Sequence, residues 1–427
     1  MISEKVFRLM KPILLALALV FTVLSSFLPY SSELMLGLAA VCLFGYVVPV
    51  LLHRESGPGW FRIAVTAGVC LSVILTLILA IGHALGLVTV IEAMNLIIIA
   101  FSGIYMLIGR RYAKVPLCVI TVICCVFFCF GVFSHITYGR SVMSTLAEWI
   151  LASNKVTDEE VATVFNELTK AGEASFSVDP SIFDKTLKEE IFEDISVFYL
   201  NADAAYNRVV FYIHGGYYVY QMGAEQMAAM NRIANETNAM IVMPIYRLAP
   251  FTTAEKGHKT MMSLYEKVAA ENAGKKIILM GDSAGGGYSL ALAEGLSARG
   301  LSQPDELVLL SPWVDVTMSN PEIADFYDPM LTVTMGKMSG EAWAGSLPLD
   351  DWLVSPIYGD LSGLKNVSIF VGTRELFYPD NTLLYEKLKS NKNVTLHIGK
   401  GQNHVYPVYP TPEGRIAIGQ IIDIVQR

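Results

Sequence analysis

The sequence predicts an α/β domain with a mainly parallel sheet, preceded by an all-α region of about five apolar helices. Three observations carry this expectation. From about residue 195 onward, short apolar runs of β type alternate with helical patterns. The first third holds five long apolar stretches. The charges are divided unevenly between the two parts.

The chain has 427 residues, 53% of them hydrophobic and only 16% charged, against about 25% charged in a typical soluble domain. Residues 1–138 contain eight Lys/Arg and four Asp/Glu, leaving 23 Lys/Arg and 35 Asp/Glu in residues 139–427, a net charge of −12 there. An acidic domain of that kind is a poor nucleic-acid binder, because phosphate binding needs a basic face. All six cysteines lie in the first third, without metal-ligand spacing to histidine, and read as small hydrophobes that pack.

Crossing the hydrocarbon core as a helix takes about 20 mostly apolar residues. The stretches at roughly 12–30, 34–52, 62–82, 89–109 and 115–136 qualify. The fourth carries Glu92 and Asn95 near its start, where an interface would tolerate them. Lys5, Arg8 and Lys11, then Arg54 and Arg62, then Arg110, Arg111 and Lys114 fall on one side of this succession, and the loops of the other side carry no Lys or Arg. This positive-inside pattern expects a cytoplasmic N-terminus and, after five spans, an extracytoplasmic domain from Gly139 onward. The first segment lacks the small-residue cleavage site of a signal peptide and reads as an anchor.

The remainder is read element by element. Residues 141–153 and 157–171 predict two helices, with Thr157 and Glu160 forming a capping box. Strands are expected at 195–200, 208–213, 239–245, 275–280, 306–310, 367–371 and 394–398. Helices are expected at 224–237, 253–273, 284–299, 379–390 and 412–426. Apolar strands alternating with helices imply a mainly parallel sheet covered on both faces. The interval 311–366 is too long for one crossover and reads as an excursion over a site. The expected organisation is therefore a transmembrane region 1–138, a helical linker or cap 139–194, and a catalytic domain 195–427 with 312–360 as a further cap.

Within this frame Gly281-Asp282-Ser283-Ala284-Gly285 follows a predicted strand and opens a predicted helix. That is the setting of a nucleophile elbow, in which small neighbours permit a tight turn that raises the serine oxygen above the sheet edge. A serine that attacks a carbonyl also needs preorganised donors for the resulting oxyanion. His214-Gly215-Gly216-Tyr217 follows the strand 208–213, and the amides of Gly215, Gly216, Tyr217 and Ala284 are the candidate donors. His214, Tyr218 and Asp282 are candidates to line a substrate pocket, and the cluster Tyr217, Tyr218, Tyr220 either walls that pocket or packs the core. Of the seven histidines, His404 lies just past the last strand, where a general base belongs in the chain order Ser, acid, His; His397 sits within a strand and reads as structural. The acid belongs after the preceding strand, where Glu375 and Asp380 stand; Glu375 is favoured, because Asp380 reads as a helix cap.

The ordered motifs "HGG", "YRLAP" (Tyr246 to Pro250), "GDSAGGG", "SPWVDVT" (Ser311 to Thr317) and "QNHVYP" resemble the hormone-sensitive-lipase-like esterases of the α/β-hydrolase fold, over about residues 195–427. The resemblance implies ester hydrolysis by a Ser–acid–His triad, without metal or cofactor, beneath a helical cap that shapes the acyl pocket. Two departures are visible. Glu375 stands where the family usually has Asp, and Tyr217 where the oxyanion motif usually continues with Gly or Ala. The expected function is a membrane-anchored serine carboxylesterase favouring short acyl esters. The alternatives are an acyltransferase using the same triad, and a binding or scaffold protein with a degenerate hydrolase domain.

Overall fold

The computed structural model describes residues 137–170 and 176–427 and, in the first third, residues 12–22, 36, 38–44, 46, 65, 68, 69, 72, 95, 98, 99 and 134. The chain divides into two compact units, Met1–Thr145 and Leu146–Arg427. Each of the five expected spans lies wholly or in part outside the described residues. Among the described residues no helix is long and apolar enough to cross a membrane. Those described in the first unit up to residue 134 are helical, and Leu15, Ala18, Leu43, Tyr46, Val65, Val69, Ile98 and Ile99 form a buried cluster. Asn95 is buried and accepts a hydrogen bond from Ser72 Oγ at 2.5 Å.

The second unit is built on an eight-stranded sheet. Its strands are β1 (Leu187–Phe192), β2 (Ile195–Leu200), β3 (Arg208–Ile213), β4 (Met240–Ile245), β5 (Lys276–Asp282), β6 (Glu306–Leu310), β7 (Val367–Arg374) and β8 (Val394–Asn403). The order is β1-β2-β4-β3-β5-β6-β7-β8. β2 is antiparallel to both β1 and β4, and every pairing from β4 to β8 is parallel. Preceding the sheet are α1 (Val142–Ser153) and α2 (Asp158–Lys170); then come α3 (Ala224–Thr237), α4 (Ala254–Glu271), α5 (Ser283–Ala298), α6 (Val333–Ala344), α7 (Tyr378–Leu388) and α8 (Pro412–Gln426).

The period-two alternation of a strand explains why the inner strands read as unbroken apolar runs. In β3, Val209, Phe211 and Ile213 enter one core while Val210 and Tyr212 enter the other. The first core receives Met261, Leu264 and Val268 of α4 and the interior of α5; the second receives Met230 and Ile233 of α3 and Ile418 and Ile421 of α8. Residues 187–192, expected within a helical cap, form β1 instead. The sequence Leu-Lys-Glu-Glu-Ile-Phe is mostly exposed because it is an edge strand, where charge discourages further pairing and masks the β pattern. The excursion after β6 holds α6, which the sequence reading left unassigned; Thr332 caps it by accepting from the Met335 amide at 3.2 Å.

α5 is buried along nearly its whole length, so it has no solvent face on which to place a charge. It nevertheless carries Glu294, whose two carboxyl oxygens have no hydrogen-bond partner among the described residues. Burial pushes this carboxyl up to about 9, with Asp360 adding to the shift and Lys387 opposing it. A carboxyl with a raised folded pKa contributes its full stability below the unfolded value near 4.5, and loses it as pH climbs toward 9. Glu294→Gln, with no proton to lose, should match the parent near pH 5 and exceed it by about 2–3 kcal/mol at pH 7. Urea midpoints at the two pH values test this, and equal differences at both would contradict it.

Candidate active site

At the carboxyl end of β5 the chain turns directly into α5, and Ser283 is the first residue of that helix. Its φ is +51°, a left-handed conformation that costs an L-residue about 1–2 kcal/mol. The turn is tight enough to demand the flanking glycines. A Cβ on Gly281 would stand 2.5 Å from Ser289 Oγ, and one on Gly285 would strike the carbonyl of His214 at the end of β3. The Trp313 amide donates to Ser283 O at 2.8 Å, so the segment after β6 braces the turn from the other side.

Beside the elbow runs the loop after β3. Gly216, Tyr217 and Tyr218 all have positive φ, at +124°, +55° and +64°. Three such residues in succession turn the backbone sharply where it approaches the elbow, and two of them are not glycine. The Tyr217 hydroxyl compensates by accepting from the Thr332 amide at 3.2 Å, and Tyr218 stacks on Trp343 at 4.3 Å between ring centroids. Gly215 differs from the expectation for it. Its amide donates to Asp282 Oδ1 at 2.9 Å and so is not aimed at a substrate oxygen. The amide of Ala284 lies in the first turn of α5, where N–H groups have no intrahelical acceptor and the helix dipole favours negative charge.

His214, Tyr218 and Asp282, candidates for the pocket wall, are all buried and act as supports. The His214 ring stacks on Tyr246 at 4.4 Å, and its Nδ1 hydrogen-bonds Gly215 O at 2.7 Å. Burial pulls its pKa down to about 4, so the ring is neutral and Nδ1 is the donor. Tyr246, from the "YRLAP" segment, donates to His214 O at 3.0 Å. Asp282 accepts from Tyr212 Oη at 2.5 Å and Gln226 Nε2 at 2.8 Å as well as from Gly215. One carboxylate therefore ties together β3, the loop after it, α3 and the residue before Ser283.

His404 follows β8 directly and is buried, and its Nδ1 stands 3.2 Å from Glu375 Oε2. Its Nε2 is buried and has no hydrogen-bond partner among the described residues. Burial pulls the imidazole down, but the hydrogen bond and charge of Glu375, with the charges of Asp328 and Asp282, outweigh it and the pKa is raised. For Glu375 burial dominates and its carboxyl is pushed up, against the opposing pull of His404. Asp380 takes no part in this pair. It is the third residue of α7 and accepts from Asn320 Nδ2 at 2.7 Å, and burial pushes it up to about 6. His397 stacks on Phe370 at 4.2 Å, away from the site.

The arrangement brings a strained serine, a histidine with one unpartnered nitrogen, a carboxylate behind it and turned backbone amides to one edge of a parallel sheet. The strand order and this elbow give the chain the α/β-hydrolase fold, and residues 210–408 match the family model Abhydrolase_3, described by that fold. A triacylglycerol lipase of Mycobacterium tuberculosis is 29% identical over 194 residues, which are 45% of this chain and 40% of that protein. An acetyl-hydrolase of Streptomyces hygroscopicus is 28% identical over 218 residues, 49% of this chain and 73% of that one. Among solved structures, a hormone-sensitive lipase from a metagenome library superposes with TM-score 0.52 at 27% identity, over 62% of this chain and 97% of that one. The chain spans less than two thirds of the length of the M. tuberculosis lipase.

Sequence reasoning missed Asp328, which lies in the excursion yet is buried against the His404 side of the site. An Asp-Pro step such as 328–329 is a turn signal, but nothing in its neighbours says that the turn lies inside the protein.

Because Asp282 serves three donors at once, Asp282→Ala leaves a hydroxyl, an amide and a side-chain amide unpaired. Each such buried group costs about 1–3 kcal/mol. Chemical denaturation should show Asp282→Ala destabilised by about 3–5 kcal/mol. A loss under 1 kcal/mol would mean the loop is held some other way.

Proposed function

We propose that this chain is a serine hydrolase that cleaves carboxylic esters through an acyl-enzyme on Ser283. The observation that carries the reading is the buried His404–Glu375 pair, with His404 Nε2 left unpartnered at the sheet edge that bears the Ser283 elbow. In the first half-reaction His404 Nε2 takes the Ser283 proton as Oγ attacks the ester carbonyl. The amides of Gly216, Tyr217 and Ala284 receive the oxyanion, and the imidazolium returns its proton to the departing alcohol. Water repeats the sequence and releases the acid. Glu375 keeps the proton on Nδ1 and stabilises the imidazolium without taking the proton itself.

Short acyl chains fit this reading best. Tyr217 is tethered through its hydroxyl to Thr332, which fixes a bulky ring in the loop assigned to the oxyanion and supports a preference for small acyl groups. The names of the relatives, a lipase and an acetyl-hydrolase, bracket the range of chain lengths to be tried.

The test is hydrolysis of p-nitrophenyl esters, acetyl through dodecanoyl, by the full chain. Turnover should be greatest for the shortest chains and fall about 10⁴-fold or more in Ser283→Ala. His404 is a base only when neutral, and its pKa is held above the ordinary 6.5. The acidic limb of kcat/KM should therefore lie above about pH 6.5. Absence of turnover at any chain length in folded protein would sink the hydrolase reading.

The first third is proposed to hold the enzyme in a membrane with its catalytic unit on the extracytoplasmic side, on the support of the five apolar runs and their one-sided Lys/Arg distribution. The chain should then resist alkaline carbonate extraction, and a reporter fused after residue 139 should be active outside the cytoplasm. A carbonate-soluble chain would refute the anchor, and a cytoplasmic signal would refute the sidedness.

A further inference from the structure

Asp328 is buried in the loop between β6 and α6 and touches the catalytic acid's own turn. Its Oδ1 accepts from the amides of Met330 at 2.7 Å and Leu331 at 2.8 Å, which closes its own turn. Its Oδ2 accepts from the amide of Leu376 at 2.9 Å, the residue immediately after Glu375. Every one of these partners is a donor, so the geometry suits the ionised carboxylate, which accepts only. The Asp328 backbone carbonyl in turn accepts from Lys155 Nζ at 2.8 Å, tying this turn to the segment between α1 and α2.

We propose that Asp328 is a positioning residue that holds the Glu375 turn in register with His404 and gives the histidine a further buried anion beside Glu375. The proposal rests on the hydrolase reading and deepens it. A one-residue change in the acid turn would swing Glu375 away from Nδ1, and the Leu376 amide is the point at which the excursion pins that turn. The groups that face His404 are Glu375 from the end of β7, Asp328 from the excursion and Asp282 from the elbow. Those that feel Asp328 include Tyr217 of the oxyanion loop and Tyr409 beyond β8. None of these groups is a lysine or arginine, so none of them offsets the charge that Asp328 presents to the imidazole. Burial raises the Asp328 carboxyl, and His404 with the three amides pulls it back.

The experiment is Asp328→Asn in the full chain, read in two ways. In the ester assay, kcat should fall about tenfold as the acid turn loosens. The acidic limb of kcat/KM should move down by about one pH unit, because the imidazolium has lost an anion. An NMR titration of the His404 imidazole, assigned with His404→Gln, should show the same downward shift without any substrate. A fall in kcat with both titrations unmoved would reduce Asp328 to a loop tie and overturn the proposal. If the parent turns over no ester, the hydrolase reading fails by itself, and the NMR shift still decides whether Asp328 acts on His404. Should Asp328→Asn not fold, Asp328→Ser keeps an acceptor for Met330 and Leu331 without the charge and carries the same two readouts.

Discussion

Holding Ser283 in the left-handed region is unfavourable by about 1–2 kcal/mol, and the surrounding structure exists in a form that imposes it. β5 arrives from below and α5 leaves above, and the carbonyls at the end of β3 leave no room for a side chain at Gly285. Three parts of the chain distant in sequence close on this turn: the oxyanion loop through Asp282, the "SPW" segment through the Trp313 amide, and α3 through Gln226. A relaxed serine there would withdraw into the helix. The strained one sits where the carboxyl end of β5 meets the N-terminus of α5, where the helix dipole favours negative charge.

The second constraint is electrostatic. Three buried carboxyl groups, Glu375, Asp328 and Asp282, surround a single imidazole. Burial alone would neutralise all of them and suppress the imidazolium as well. Hydrogen bonds oppose burial at the three carboxyl groups without overcoming it, and they do so unequally. Asp282 and Asp328 each accept three, which favours their charged forms, whereas Glu375 makes one good hydrogen bond, to His404. The charge on Glu375 thus depends most on the histidine. That coupling is what a triad requires, because the carboxylate is then strongest as an acceptor when the imidazole carries its second proton.

The inner strands and covering helices were legible because burial on both faces writes itself as apolar runs bounded by turns, and β6, α3 and α8 fall where the pattern places them. The elbow was legible for a steric reason, since only glycine and small residues fit at 281 and 285. β1 was not, because an edge strand carries charge for negative reasons and loses its alternation. α6 was hidden because it packs on α2 and α4 and does not link neighbouring strands as the crossover helices do. Gly215 was assigned to the wrong task, because a His-Gly-Gly string does not say which of its amides a neighbouring carboxylate will take. Asp328 was invisible for the same reason: its partners are backbone amides, which every residue has.

These invisible contacts share a location. Tyr217 reaches Thr332 and Asp328 reaches Leu376, so the excursion between β6 and β7 is fastened at one point to the oxyanion loop and at another to the acid turn. On the proposed hydrolase reading, a segment so fastened cannot change its path to admit a different acyl chain without disturbing either the proposed oxyanion donors or the aim of Glu375. Choice of substrate and quality of catalysis are then not separate properties of separate parts. Glu375 makes the dependence sharper. Its side chain is one methylene longer than the usual aspartate and meets His404 at 3.2 Å, longer than the 2.7–2.9 Å of a tight charge-assisted bond. A longer arm has more rotamers to lose, and it finds its acceptor position only if the turn beneath it is pinned. The Asp328–Leu376 hydrogen bond is that pin, and the longer acid is the physical reason this site needs one.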